Sequence, residues 1–305
     1  MAGDRPLWWR NTVAQPAVGP AARVIVVTDV EGSFLEPGRQ TLADECAALD
    51  FLAAHGIPLV INSSRTRAEI ERLHATLRLL TPFICEHGSA LVIPDGCFPS
   101  IPHGSVRTVG GHVIAFGRPY HEVVEAVRLT GRELDVEIVG FADLTIDDVA
   151  RELGVTTVEA QLAKLREYTE LIRLGDENPA ARSRLFNALR RRGLRCSPTG
   201  RHQLVSGTRD RAESLLALRT LWRHTWGEPQ IVGFGDSEDD VTWLRHADVP
   251  VFVRNDRAGV PTRLLSKLPT AHVTRWSGGL GWSDAIFASV GALLNPRQAA
   301  LLPPR

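Results

Sequence analysis

Lysine is almost missing from this 305-residue chain. Of its 35 basic residues only Lys164 and Lys267 are lysines, and all the others are arginines. Chemistry that calls for a compact ammonium therefore has two candidates. The basic residues are matched by 35 acidic ones, so the formal charge is zero and nothing global favours nucleic acid or an anionic membrane as partner. No uninterrupted apolar run approaches the roughly 20 residues that span a bilayer. The N-terminus lacks the charged, apolar and small-residue series of a signal peptide. With a mean hydropathy of −0.06, these absences lead us to expect a soluble, cytoplasmic protein. Cysteine is scarce and scattered. Cys46, Cys85, Cys97 and Cys196 form no CxxC or Cys/His cluster with zinc-ligand spacing, and the ten histidines include no HxH or HExxH pair.

What is present is a pattern of short buried strands alternating with helices. Residues 23–28 (RVIVVT) and 57–61 are continuously apolar and suit strands covered on both faces of a parallel sheet. Leu42, Cys46, Leu49 and Leu52 recur at helical spacing from Thr41 onward, and Ile70, Leu73 and Leu77 mark a second helix over 66–80. A third strand is expected at 82–85. After a different stretch, the alternation resumes with a helix over 209–224, a strand at 230–234, a helix over 238–246 and a strand at 249–253. The pattern predicts an α/β fold with a doubly wound parallel-sheet core and an inserted α+β cap domain. We place the core at 23–93 and 201–292, the cap at 94–200, an N-terminal extension at 1–22 and a tail at 293–305. Within the cap, strands are expected at 106–108, 112–116 and 171–174, with helices at 121–130, 146–153, 157–168 and 179–192.

Three turns follow strand ends, where open parallel sheets place their ligands. Asp29-Val30-Glu31-Gly32-Ser33 sets two carboxylates two residues apart. Ser63-Ser64 offers hydroxyls and a helix N-terminus to an anion. Gly235-Asp236-Ser237-Glu238-Asp239-Asp240 supplies four acids in five residues. One acidic turn is commonly a helix cap, but converging carboxylates repel one another unless a hard cation sits among them, and oxygen-only ligands suit Mg²⁺. A phosphate monoester beside such a metal is open to attack by a carboxylate while a second carboxyl handles the leaving-group proton.

At these residues the sequence resembles the haloacid dehalogenase superfamily, whose first motif is DxDGT and whose last is GDSxND. Within it the chain is similar to the mannosyl-3-phosphoglycerate phosphatase family. The shared features are Ser63-Ser64-Arg65-Thr66-Arg67-Ala68-Glu69, an ENG-like turn at Glu86-His87-Gly88, Gly140-Phe141-Ala142-Asp143, the stretch from Ala163 to Glu170, and Gly279-Leu280-Gly281-Trp282-Ser283-Asp284-Ala285. The resemblance covers about residues 23–290. It implies a Mg²⁺-dependent phosphatase acting on a small phosphorylated sugar-glycerate through an aspartyl-phosphate. Asp29 is then the nucleophile, Glu31 the general acid/base, and Ser63 and Arg211 the phosphate ligands. Mg²⁺ falls to Asp29, the main-chain carbonyl of Glu31, and Asp236, with Asp240 supporting. Arg166, Glu170 and Arg201 are the candidates for sugar hydroxyls and the glycerate carboxylate, which guanidinium forks match.

Four positions depart from the motifs. Glu31 stands where the pattern has Asp, Arg211 where it has Lys, His87 for Asn in the ENG turn, and Asp239 for Asn in the last motif. An alternative reading follows from them: a catalytically degenerate relative that binds a phosphorylated ligand or a partner protein.

Overall fold

β1 (Val24–Thr28) is buried along its whole length. Its side chains alternate between two cores, Val24 and Val26 entering one and Ile25 and Val27 the other, as period-two geometry requires of a strand covered on both faces. The computed structural model describes residues 24–35, 42–175, 178–199, 201–207, 210–255 and 262–294. Thr41, Arg209, the N-terminal extension through residue 22 and the tail from residue 295 lie outside the described residues. No helix among those described is long and apolar enough to cross a membrane.

After β1 the chain runs through α1 (Cys46–Ala54), β2 (Leu59–Ile61), α2 (Arg67–Leu77), β3 (Phe83–Cys85), β4 (Ala90–Pro94), β5 (Val106–Thr108) and β6 (Gly111–Ala115). It continues with α3 (Tyr120–Leu134), β7 (Ile138–Gly140), α4 (Ile146–Leu153), α5 (Thr157–Ala163), β8 (Thr169–Leu174), α6 (Pro179–Arg191), β9 (Arg195–Thr199) and β10 (His202–Ser206). The last part holds α7 (Glu213–Trp226), β11 (Gln230–Gly235), α8 (Val241–Leu244), β12 (Val249–Arg254), α9 (Thr262–Lys267), β13 (His272–Ser277) and α10 (Gly278–Leu294).

Three sheets result. The first is parallel, in the order β13-β12-β11-β1-β2, so the doubly wound α/β core expected from the alternation is present. Its register sets Thr28 opposite both Phe234 and Ile61, which brings Asp29, Asn62 and Gly235 to one level at the carboxyl ends of the strands. The second sheet, β7-β8-β10-β9, is antiparallel. α3 and α6 cover one of its faces through Val123, Val127, Leu185 and Leu189, while Phe141, Val149 and Ala160 of the α4–α5 side pack against Leu171 and Leu204 on the other. Capping boxes at Thr66/Glu69, Thr145/Asp148 and Thr156/Glu159 start α2, α4 and α5.

The third sheet, β3-β4-β6-β5, spans the position at which the insertion is expected to start. β4 pairs with β6 from Ala90↔Ala115 to Pro94↔Gly111, and Leu91, Ile93 and Phe98 pack with Leu215, Leu218 and Trp222 of α7. The boundary expected at 94 thus falls inside a sheet that belongs to the core side, and the chain leaves it only at Phe116–Gly117, whose N–H groups both reach the Ser89 carbonyl. The expected helix over 157–168 also stops early, at Ala163. The cause is Glu86, whose buried carboxylate accepts the backbone N–H groups of Glu167, Tyr168 and Thr169 and the Thr169 hydroxyl. Four donors aimed at one carboxylate are incompatible with helical continuation. They tie the second sheet to the turn after β3.

Candidate active site

The turn after β1 is held from below. Trp282 of α10, fully buried, donates its indole N–H to the Thr28 hydroxyl at 3.1 Å, and that hydroxyl donates to the Asp29 carbonyl at 2.8 Å. The Asp29 N–H reaches the Phe234 carbonyl at 2.8 Å. Gly32, at φ 79°, passes so close to Asp236 that a Cβ there would collide with its carboxylate; glycine is required on both counts.

Asp29, Asp236 and Asp240 are all buried, and an oxygen from each lies within 4.8 Å of the others. The electrostatic consequence is large. Burial, followed by the charges of Asp240, Glu31 and Asp236, holds the Asp29 carboxyl well above the ordinary range, with Arg211 opposing. Burial, followed by the charges of Asp240 and Glu31, pushes Asp236 up to about 7, against the hydrogen bond it accepts from Asn255 Nδ2 at 2.6 Å. Desolvated carboxylates that face one another have this signature when the positive charge among them is too small. Asp240 is the most firmly oriented of the three. One of its oxygens accepts the N–H groups of Asp236 and Ser237 and the Ser237 hydroxyl, and the other accepts the Trp243 indole N–H at 3.0 Å.

A cavity of about 280 Å³ opens above this triad. Glu31, Arg211, Ser64, His87 and Asp239 border it from the core, and Pro198 and Thr199 of β9 border it from the inserted unit. The structure therefore brings together Asp29, Glu31, Arg211, Asp236 and Asp240. The remaining expected residues stand elsewhere. Ser63 is fully buried behind Ser64, and its hydroxyl donates to Glu31 at 3.2 Å while accepting the Arg65 N–H. Glu31 is further engaged by the Arg65 guanidinium. Arg166 turns toward the joint between the two units, donating to Thr169 Oγ1 at 2.5 Å with Glu86 at 3.9 Å. Glu170 alternates onto the α3–α6 face of its strand, where it accepts the Ala142 N–H at 3.0 Å and interacts with Tyr120. Arg201 is exposed on the turn between β9 and β10. The expected sugar-glycerate contacts from Arg166, Glu170 and Arg201 are thus not assembled around this cavity.

Three contributors were missed by sequence reasoning. Arg65 lies in the quoted motif, but nothing in its spacing announces that it reaches back to Glu31. Asn255 follows the end of β12 and was open to discovery by the strand-end rule that found Asp29 and Asp236. Thr199 carries no motif, and only the antiparallel pairing of β9 with β10 delivers it.

No family model matches the chain. A glucosyl-3-phosphoglycerate/mannosyl-3-phosphoglycerate phosphatase from Methanococcoides burtonii is 31% identical over 88% of this chain and 97% of its own length. One of the same name from Persephonella marina is 26% identical over 87% and 96%. Among solved structures, a sugar phosphatase of haloacid dehalogenase subclass IIB superposes with a TM-score of 0.59 over 88% of this chain and 99% of its own, at 15% identity, a likeness of fold. Taken with the carboxylate triad at the strand ends, the 31% relative settles the assignment: the chain belongs to the mannosyl-3-phosphoglycerate phosphatase family, whose members are phosphoric monoester hydrolases.

Proposed function

We propose that the chain releases phosphate from a glucosyl- or mannosyl-3-phosphoglycerate through an aspartyl-phosphate on Asp29. The observation that carries this reading is the buried Asp29–Asp236–Asp240 triad with Arg211 beside it at one cavity. The donor set is all oxygen, and burial together with the neighbouring carboxylates raises the carboxyls of Asp29 and Asp236, so it fits a hard divalent cation such as Mg²⁺. Asp29, Asp236 and the Glu31 carbonyl would hold the ion, with Asp240 orienting the turn. Bound there, Mg²⁺ supplies charge neutralisation for the transferring phosphoryl group.

The residues perform the rest. The Asp29 carboxylate attacks phosphorus as the ester P–O bond breaks, and Glu31 delivers a proton to the departing oxygen of the glycerate. Water then attacks the aspartyl-phosphate while Glu31 takes its proton, releasing inorganic phosphate and regenerating Asp29. Arg65 and the Ser63 hydroxyl fix Glu31 in place between these steps. Arg211 faces the phosphoryl charge. Residues from about 116 to 207 act as a cap that closes on the substrate and excludes water, and closure would carry Arg201, on the turn that follows Thr199 of β9, toward the glycerate carboxylate.

The decisive measurement is phosphate release from both sugar phosphoglycerates with and without Mg²⁺, in the parent chain and in Asp29→Asn. Metal-dependent turnover that vanishes in the variant is expected. A folded, Mg²⁺-supplied parent that turns over nothing on a broad panel of phosphate esters overturns the hydrolytic mechanism. That outcome favours the binding protein that Glu31 and Arg211 suggest in the sequence.

A further inference from the structure

Two positions at which the chain departs from the motifs it resembles lie against each other. His87 belongs to the turn after β3 and Asp239 to the turn after β11, and His87 Nε2 stands 3.6 Å from Asp239 Oδ2. A third departure shares the corner. A Cβ on Gly88 would lie 2.7 Å from the Arg211 carbonyl oxygen and 2.9 Å from its Cα, so the turn that carries His87 is packed on the backbone that carries the guanidinium. Arg211 Nη1 is 3.9 Å from Asp240 Oδ1, and its buried Nε has no hydrogen-bond partner among the described residues.

A guanidinium with unused donors is drawn to whichever carboxylate can present two oxygens in its plane. Asp240 is poorly placed to do so, because four donors already occupy its oxygens. Among the described residues the Asp239 carboxylate receives no such set, and its side chain is 36% exposed on the cavity wall. It has room to swing to Arg211. That capture would draw the guanidinium away from Asp29. His87 stands against it, only 6% exposed and fixed by the Glu86 anchor one residue earlier. A ring bearing hydrogen on Nε2 presents its donor to Asp239.

We propose that His87 and Asp239 form one positioning unit for Arg211, in which His87 retains the Asp239 carboxylate so that the guanidinium faces Asp29 and the phosphoryl group. The proposal rests on the hydrolytic reading above and deepens it. The arginine, the histidine and the aspartate are then a single coupled change from the lysine and two asparagines of the motifs. The aspartate and histidine depend on each other, whereas three independent lesions would not.

The test uses the full chain as parent, His87→Asn, Asp239→Asn and the double variant. Asparagine tolerates the left-handed backbone at position 87, φ 63°, better than most residues, so the turn is preserved; melting temperatures check this. For each protein, kcat and KM are measured on glucosyl-3-phosphoglycerate with Mg²⁺, and the dissociation constant of inorganic phosphate by calorimetry. His87→Asn should lower kcat about tenfold and weaken phosphate binding by a similar factor with KM little changed. Adding Asp239→Asn should restore both to within about threefold of the parent. A double variant as impaired as His87→Asn, or worse, overturns the proposal. So does a double variant that recovers only its melting temperature. If the parent hydrolyses no phosphate ester, the hydrolytic reading fails by itself, and the four phosphate affinities still decide the coupling.

Discussion

Glu31, on the turn after β1, is paired with the guanidinium of Arg65, on the turn after β2. The contact explains how the longer acid is accommodated where the motif has aspartate. Arg65 and the Ser63 hydroxyl hold the carboxylate at its full length, so the surroundings are built for glutamate. Glu31→Asp withdraws the carboxyl by about one C–C bond, roughly 1.5 Å, and loses both partners. We expect kcat on a sugar phosphoglycerate to fall on the order of tenfold or more, since misplacement of about 1 Å in a catalytic group can cost up to about a hundredfold. Stability should change by less than about 1 kcal/mol, because side chains 31% and 41% exposed make a weak pair. A rise in kcat would show that Glu31 is a poor fit.

The strands and the acidic turns were legible because both rest on local rules. Continuous apolarity marked β1, and the position of Asp29 and Asp236 just past strand ends marked the site. What was not legible depends on pairing between distant segments. β4 and β6 belong with β3 only because Ala90 to Pro94 meets Gly111 to Ala115, and no composition shift announces it. α10 was missed since Gly278 to Gly281 discourages a helical reading; in the fold, Gly279 and Gly281 are where Glu45 and the Trp276 backbone approach most closely. Glu170 was assigned by motif alone, and strand alternation sets it with Ile172 on the α3–α6 face of its sheet.

The raised carboxyls make the metal-free protein lose stability as pH rises from acid toward neutral. Asp236 has a folded-state pKa of about 7 against an ordinary value of 3.8, so between those values the folded state binds more protons than the unfolded chain. Stability contributed by this group therefore declines as pH rises from about 4 to about 7 and stays low above that. In chelator, the melting temperature should drop across this window relative to Asp236→Asn, which cannot ionise. Adding Mg²⁺ at pH 7.5 should raise the parent's melting temperature and leave the variant's nearly unchanged. Equal metal responses in the two proteins would remove Asp236 from the cation site.

Glu86 anchors the inserted unit through four accepted hydrogen bonds. Glu86→Gln keeps the shape but replaces one oxygen by an amide that donates. If the amide takes the place of Oε2, it faces the N–H groups of Tyr168 and Thr169; if it takes the place of Oε1, it faces that of Glu167. Either orientation leaves a buried donor opposed by another donor, a loss of about 3 kcal/mol. Urea denaturation should show this loss, and limited proteolysis should cut the variant first near residues 164–168. An unchanged midpoint would mean that the joint is held by the packing around Tyr168.

His74 gives the opposite pH dependence. It is 6% exposed on α2, its ring meets Phe83 edge-on at 4.8 Å, and its Nε2 has no hydrogen-bond partner among the described residues. Burial lowers its pKa from 6.5 to about 4, so the unfolded chain takes up a proton that the folded chain refuses. Stability is then whole above about pH 6.5 and is lost as pH falls toward 4, amounting to about 2 kcal/mol at pH 5. His74→Leu fills nearly the same space with no group to protonate. At pH 7.5 the variant should lie within about 1 kcal/mol of the parent, since the lost ring contact is offset by removal of an unsatisfied nitrogen. At pH 5 it should be the more stable of the two, with the difference read from urea midpoints at both pH values. A parent-to-variant difference that does not change with pH would show that His74 finds a partner for its charge inside the fold.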